Sequence, residues 1–350
     1  MLAELQLRNF RCFESLRVEL APGLNLFLGR NGQGKTSILE AACVLLRLQS
    51  QRSATLAAAV RFGQSAFSVS GRLDEHRLDF RYGALRRKAS LDEVEQKTLG
   101  EYLRLARVVS FANTDIELVR GGSDARRRYL DFLGSQIEPL YRPTLRAYER
   151  AVRSRNALLK SAHPRARELA AYDPPLLEHG TKLGTMRARL VERLAPLAEE
   201  AHSQISGGEE RLESQFAPGN ETDFARDLAE SRERELRLRQ TVVGPHRDDI
   251  ELLVQGKKAA QFASEGQQRT VALALKIAQA RMFAQEEGAP PLLLIDDIFG
   301  ELDPVRRNAL LQHSPADSQK LVTATTIQWR EAETIGPVFE LRDRELVRKS

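Results

Sequence analysis

The stretch Gly29-Arg30-Asn31-Gly32-Gln33-Gly34-Lys35-Thr36 constrains this chain more than any other, because it fits G-x-x-x-x-G-K-[ST] between an apolar strand and a helix. The strand is read from LNLFL at 24 to 28. The helix is read from 36 to 50, where Ile38, Leu39, Ala42, Leu45 and Leu46 recur at helical spacing. Glycines let the turn bring main-chain N–H groups around phosphate oxygens, and the helix N-terminus adds its partial positive charge. Lys35 supplies a point charge for the β and γ phosphates, the Thr36 hydroxyl a ligand for Mg2+, and Ser37 extends the cradle. The turn therefore implies an α/β chain that binds a nucleoside triphosphate with Mg2+.

Such a turn needs a carboxylate from a neighbouring strand. The run Leu292-Leu293-Leu294-Ile295-Asp296-Asp297 supplies one, since four apolar residues read as a buried strand with acids at its carboxyl end, where ligands gather in parallel sheets. Asp296 is expected on the metal side, and Asp297 is expected to polarise the attacking water.

Between these motifs the texture changes. Short strand patterns at 2–8, 15–20, 66–72, 76–82 and 105–111 give way near 135 to long helical stretches with few β-branched residues. Strand patterns return at 248–254, 320–324, 337–342 and 344–348, and 226–239 reads as one solvated helix. The expected organisation is a head of 1–135 and 241–350, made by both chain ends, interrupted by a helical lobe at 136–240.

Charge narrows the partners. The chain of 350 residues carries a net charge of +5, too small to argue for an anionic partner by itself. Between 142 and 167, however, eight lysines and arginines face one acid, Glu149. That window and the run Arg126-Arg127-Arg128 point to a surface that grips nucleic-acid phosphates without reading sequence. The alternative is a solvated helical face, with Arg127 and Arg128 bracing the head internally. No aromatic stripe for stacking single strands is evident, so duplex backbone is the expected contact. His246, between Pro245 and Arg247, reads as structural. Two cysteines, Cys12 and Cys43, make no disulfide framework. No window is apolar for long enough to span a membrane, and the amino-terminal residues alternate like a strand, so a cytoplasmic protein without a membrane partner is expected.

Ser264-Glu265-Gly266-Gln267-Gln268-Arg269 opens a helix just before the acidic strand, and Gly300-Glu301-Leu302-Asp303 follows it. The order of phosphate turn, serine-led segment, acidic strand and aspartate loop resembles the ABC-type ATPase heads, and most closely the RecF family of DNA replication and repair proteins. Further matches are Leu7, Asn9, Phe10 and Arg11 near the amino terminus, the run from Gly122 to Asp131, and Gly244 to Asp249. The resemblance implies an ABC-type head with an inserted lobe and an ATP-dependent homodimer. In that dimer Ser264, Gly266 and Gln267 of one copy meet the γ-phosphate held by the other, and Asp303 lies across the seam. It also implies binding of duplex, gapped or junction DNA, work with RecO and RecR to load RecA, and weak DNA-dependent hydrolysis that resets the complex.

Three departures from the pattern point to slow turnover. Asp297 stands where most such heads have glutamate, which withdraws the carboxylate by about 1.5 Å. No switch histidine follows the strand at 320–324, where Thr323, Thr325 and Thr326 stand instead. The segment Phe111-Ala112-Asn113-Thr114-Asp115 lacks the usual proline and glutamate, leaving Asn113 as the nucleotide-side or coupling residue. Two other classes fit the ATPase motifs. A structural head of the SMC or Rad50 type needs far more coiled coil than 136–240 holds, and a defence-type ATPase needs an effector domain.

Overall fold

The computed structural model describes residues 1–53, 55–83, 86–286, 290–326 and 336–349. Contacts divide the chain into two compact units, one of Met1–Asp115 with Gln279–Ser350 and one of Ile116–Ala278. The sequence-based boundary at 135 falls inside the helix Ser123–Ile137. That helix packs on the strand Asp249–Val254, so both belong to the second unit.

Among the described residues the first unit holds two six-stranded sheets. One is an antiparallel meander in the order Phe13–Glu19, Leu2–Phe10, Ala66–Leu73, His76–Gly83, Arg87–Leu91, Val94–Glu95. Its alternating pattern buries Leu5, Leu7, Val69, Leu78 and Phe80. The other runs Glu345–Lys349, Val338–Arg342, Leu24–Leu28, Lys320–Ala324, Leu292–Asp296, Val108–Ala112, parallel except at its Glu345–Lys349 edge. Leu24–Leu28 is buried along its whole length, as the continuous apolar run requires. The helix Lys35–Arg47 packs against both sheets, so it is buried on nearly every side, with Ile38, Leu39, Ala41, Ala42 and Leu45 fully enclosed. Burying side chains of this kind contributes about 1.5–3 kcal/mol for each Leu or Ile.

Buried Gln319 shows why both chain ends build this unit. Its side chain accepts from Leu2 N at 2.9 Å and donates to the carbonyls of Leu2 and Ala21 at 2.8 and 2.9 Å. A carboxy-terminal strand and the amino-terminal meander are thereby tied by one amide.

The second unit is mainly helical, with Tyr141–Leu159 packed on the long helix Asp173–Ser206. The helical texture of 136–240 conceals a strand, Leu212–Ala217, which pairs antiparallel with Asp249–Val254. The segment expected as one helix at 226–239 forms two, Phe224–Glu230 and Arg232–Leu238, broken at Ser231. Asp223 caps the first, accepting from the amides of Ala225 and Arg226 at 3.0 Å. Among the described residues no helix is long and apolar enough to cross a membrane.

Candidate nucleotide site

The turn between Leu28 and Lys35 is built on left-handed glycines, Gly32 at φ 81° and Gly34 at φ 110°. A Cβ on Gly34 would stand 2.6 Å from Cys12 Sγ and 2.8 Å from a Phe13 ring carbon, so backbone conformation and space both demand glycine there. The loop is closed on itself by Gln33, whose Oε1 accepts from Arg30 N at 2.9 Å. Lys35 is nearly buried and folds back, donating to the carbonyls of Gly29 at 2.6 Å and Arg30 at 3.2 Å.

A cavity of about 600 Å3 opens over this turn. It is lined by Asn31, Gly32, Gly34, Lys35, Thr36, Ser37 and Asp297. Arg11, Cys12, Arg52, Ala58 and Val60 also line it, Cys12 close against Gly34. The sequence singled out Arg11 only as part of a motif and did not single out Arg52, Ala58 or Val60. Glu40, fully buried on the turn's helix, holds the Arg11 part of this lining by accepting from Arg11 at 2.8 and 2.6 Å and from Ser50 at 2.6 Å. A buried glutamate four residues after Thr36 was the available signal, since it requires a cationic partner.

Asp296 does not come from the strand beside the phosphate turn. Lys320–Ala324 lies between Leu24–Leu28 and Leu292–Asp296, which corrects the expectation of a neighbouring strand. The gap is bridged by side chains, because the Thr36 and Thr323 hydroxyls each donate to Asp296 Oδ1 at 2.8 Å. Thr323, on the intervening strand, also accepts from Asp297 N at 2.9 Å through its Oγ1. One threonine thus fixes both acids. Asp297 adopts a left-handed backbone, φ 49°, and Asn113 Nδ2 approaches its carbonyl at 3.5 Å. Burial pushes the Asp297 carboxyl above its ordinary value, with the Lys35 charge opposing and Asp296 and Glu301 adding to the rise. Burial likewise lowers Lys35, against the pull of Asp297 and Asp296. The two hard oxygens of Thr36 and Asp296, held together, suit Mg2+ beside phosphate oxygens.

Ser264, Gly266 and Gln267 lie in the second unit, at the start of the exposed N-terminal turn of Glu265–Ala284. Ser264 and Gln267 form a reciprocal cap. Gln267 Oε1 accepts from Ser264 N at 2.7 Å, and Gln267 N donates to Ser264 Oγ at 3.3 Å. Asp303 caps Pro304–His313, accepting from Arg306 N at 2.9 Å.

The arginine run divides. Arg126 is clamped bidentate to Asp249 at 2.6 and 2.9 Å, and Arg127 donates to the Asp248 carbonyl at 2.8 Å and pairs with Asp124, so only Arg128 of the three stays exposed. Arg155, within the basic window, is fully buried and bidentate to Glu235 at 2.8 and 2.6 Å. Arg146, Arg150, Arg153 and Lys160 are exposed. The spacing of these four places them on one helical face. His246 is structural in its contacts. Thr241 O accepts from its Nε2 at 2.9 Å, so Nδ1 accepts from the Tyr148 hydroxyl at 2.7 Å.

Three kinds of comparison with known proteins bear on this chain. A family model described as an AAA domain matches residues 4–121. The DNA replication and repair protein RecF of Lactococcus lactis subsp. cremoris is 34% identical over 332 residues, covering 93% of this chain and 92% of its own. RecF of Bacillus cytotoxicus is 34% identical over 351 residues, covering 95% and 94%. Among solved structures, one of the recombination mediator protein RecF-ATP in the RecFOR pathway matches at 28% identity and TM-score 0.90, over 100% of this chain and 97% of that one. An SMC head bound to the winged-helix domain of ScpA matches at 14% identity and TM-score 0.57, a likeness of fold alone.

Proposed function

Because the chain belongs to the RecF family of DNA replication and repair proteins, we propose that it is an ATPase of DNA repair and replication whose ATP-bound dimer grips DNA and is reset by slow hydrolysis. The observation that carries the ATPase reading is the Thr36–Asp296–Thr323 cluster with Asp297 fixed beside it, since Thr36 and Asp297 line the cavity over Lys35.

ATP would lie along the turn from Gly29 to Ser37. The amides of Arg30 to Thr36 would surround the phosphates, and Lys35 would leave the Gly29 and Arg30 carbonyls for them. Thr36 and Asp296 would hold Mg2+, which supplies charge compensation to the phosphates when bound. Thr323 keeps Asp296 aimed at Thr36. Asp297, partly desolvated and held at its backbone by Thr323 and Asn113, orients the attacking water. Its short side chain supports a slow reaction.

Completion of the site falls to a second copy, whose Ser264, Gly266 and Gln267 would meet the γ-phosphate and whose Asp303 would lie across the seam. Ser264's exposure at a helix N-terminus supports this reading, since such a terminus is an anion site. The exposed face of Arg146, Arg150, Arg153 and Lys160 supports contact with the phosphates of duplex or gapped DNA. Cooperation with RecO and RecR in loading RecA is carried over from the family and from relatives described within the RecFOR pathway.

Sedimentation with ATP and a labelled gapped duplex tests the reading, because dimerisation and DNA binding are measured together. Wild type is expected to dimerise and bind DNA only with ATP, and Lys35→Met to lose both. Wild-type ATP affinity in Lys35→Met would sink it.

A further inference from the structure

We propose that Glu210 is a positioning residue for ATP-driven closure, holding the Gln267 carboxamide so that Ser264 is presented to the nucleotide of a second copy. The proposal rests on the reading that the Ser264 segment completes a shared site.

Glu210 is remote in sequence from Ser264 and carries no motif. The helix Asp173–Ser206 ends in two left-handed glycines, Gly207 at φ 71° and Gly208 at φ 80°, and Gly208 N donates back to Ser203 O at 2.8 Å. This reversal sends the chain into Leu212–Ala217 and leaves Glu210 beside the start of Glu265–Ala284. There its Oε1 accepts from Gln267 Nε2 at 2.6 Å. The other carboxylate oxygen lies 3.8 Å from Nε2 of His202, a fully buried residue behind it.

Gln267 is consequently held at both ends of its amide. Its oxygen takes the Ser264 N–H, and its nitrogen gives a hydrogen to Glu210. The two partners enforce the same orientation, because a backbone N–H can only donate and a carboxylate can only accept. The bond to Glu210 is charge-assisted and short, the stronger kind. A helix cap alone leaves the third residue's side chain free to exchange rotamers with solvent. Pinning it fixes the Ser264 amide and, through Gln267 N, the Ser264 hydroxyl. Groups that orient a contacting residue from behind typically change affinity or rate by about 10–100-fold when removed.

The test uses the full-length protein and three readouts: monomer ATP affinity, ATP-dependent sedimentation and single-turnover hydrolysis. Glu210→Ala is expected to keep ATP affinity while closure and turnover fall about tenfold or more. Glu210→Gln retains an acceptor for Gln267 Nε2 and is expected to stay near wild type. Gln267→Glu keeps the cap on Ser264 N but sets two carboxylates against each other, so closure should fail. Combining it with Glu210→Gln restores a hydrogen bond with donor and acceptor exchanged; because glutamate at 267 also faces the γ-phosphate, the expected result is a partial return of closure, clearly above Gln267→Glu alone. That rescue is outside the reach of a merely structural role, and it keeps the test decisive if Glu210→Ala folds poorly. Wild-type closure and turnover in both Glu210→Ala and Gln267→Glu, with Ser264→Arg blocked, would overturn Glu210's role while leaving the shared site standing. An exchanged pair no better than Gln267→Glu alone would also overturn it. Normal closure in Ser264→Arg would overturn the shared site and the role of Glu210 together.

Discussion

Ser264 is the residue at which a shared site and a single-subunit ATPase make opposite predictions. Its hydroxyl caps its own helix through a long bond, 3.3 Å to Gln267 N, while the shorter reciprocal bond from Ser264 N to Gln267 Oε1 at 2.7 Å does not need the side chain. Ser264→Ala therefore removes only the weaker half of the cap. A loss of about 0.5–1 kcal/mol is expected, the low end for an N-cap serine. In a chain of this length that lowers the melting temperature by about 1–2 °C. ATP affinity of the monomer, set by Lys35, Thr36 and the glycine turn, should stay within about twofold. Hydrolysis should fall by about 10²-fold, the usual consequence of deleting one preorganised donor at a developing charge. Ser264→Arg should in addition block the closed dimer by bulk. Nucleotide titration, sedimentation velocity with ATP and single-turnover hydrolysis are measured on each variant. Mixing Ser264→Arg with Lys35→Met leaves one intact composite site, so partial recovery of activity from two inactive proteins is expected. Normal dimerisation and turnover of Ser264→Arg would refute the reasoning and leave a conventional single-subunit ATPase.

Other outcomes follow from the same geometry. Asp296→Asn should weaken Mg2+-dependent nucleotide binding, whereas Asp297→Asn should keep ATP bound, slow turnover and prolong the closed dimer; equal single-turnover rates in Asp297→Asn and wild type would remove Asp297 from the mechanism. Reversing Arg146, Arg150 and Arg153 together should weaken binding to every duplex and flatten the log K against log salt slope by up to about 3 units, and an unchanged slope would place DNA elsewhere. Burial pushes His246 down to about 4 from its usual 6.5, opposed by the Thr241 carbonyl and reinforced by the Arg247, Arg127 and Arg155 charges. Between those values the unfolded chain holds the proton and the folded chain does not, so stability falls as pH drops from 6.5 toward 4, by up to about 3 kcal/mol. Denaturant titrations across that window, compared with His246→Gln, should lose this part of the pH slope in the variant.

The elements legible in the sequence were those whose cause is local. The phosphate turn is specified by glycines that must take left-handed backbone and by the strand and helix flanking them, and Leu292–Asp296 and Lys320–Ala324 are apolar runs whose period and bounds need no partner to be read. Strand order is a different matter. That Lys320–Ala324 lies between the two motif strands is a tertiary fact, and so Thr323 could be noticed only as a missing histidine, not as the hydroxyl that fixes both acids. The strand Leu212–Ala217 has too few β-branched residues to be read within a helical lobe, and it exists because Asp249–Val254 offers it an edge. Charge counting misled where partners are remote: the cations of Arg126 and Arg155 are taken by Asp249 and Glu235, and neither acid lies in the basic window.

Those remote pairings also separate the family's motifs by task. Gly122–Asp131 and Gly244–Asp249 meet inside the second unit, where Arg187 is almost fully buried and donates to Asp131 at 2.7 Å, to Asp248 at 3.0 Å and to the Pro245 carbonyl. Asp248 in turn accepts from Gly219 N at 2.8 Å, and Asp131 from the Tyr141 hydroxyl at 2.7 Å. Burial drives the Asp248 carboxyl above its ordinary value, opposed by the Arg187 charge and hydrogen bond, the Gly219 amide and the Arg127 charge. Removing Arg187 would leave the buried Asp248 carboxylate without its cation, a loss of about 3–5 kcal/mol for breaking a buried pair. None of these contacts is with the phosphate turn, and none supplies a nucleophile or an acid–base pair to it. They fix Ser123–Ile137 and the Gly244–Asp249 turn to the long Asp173–Ser206 helix, the same helix whose end delivers Glu210 to Gln267. The arginine–aspartate motifs are thus a mount within the second unit, and on the proposed reading what they would serve is the presentation of Ser264.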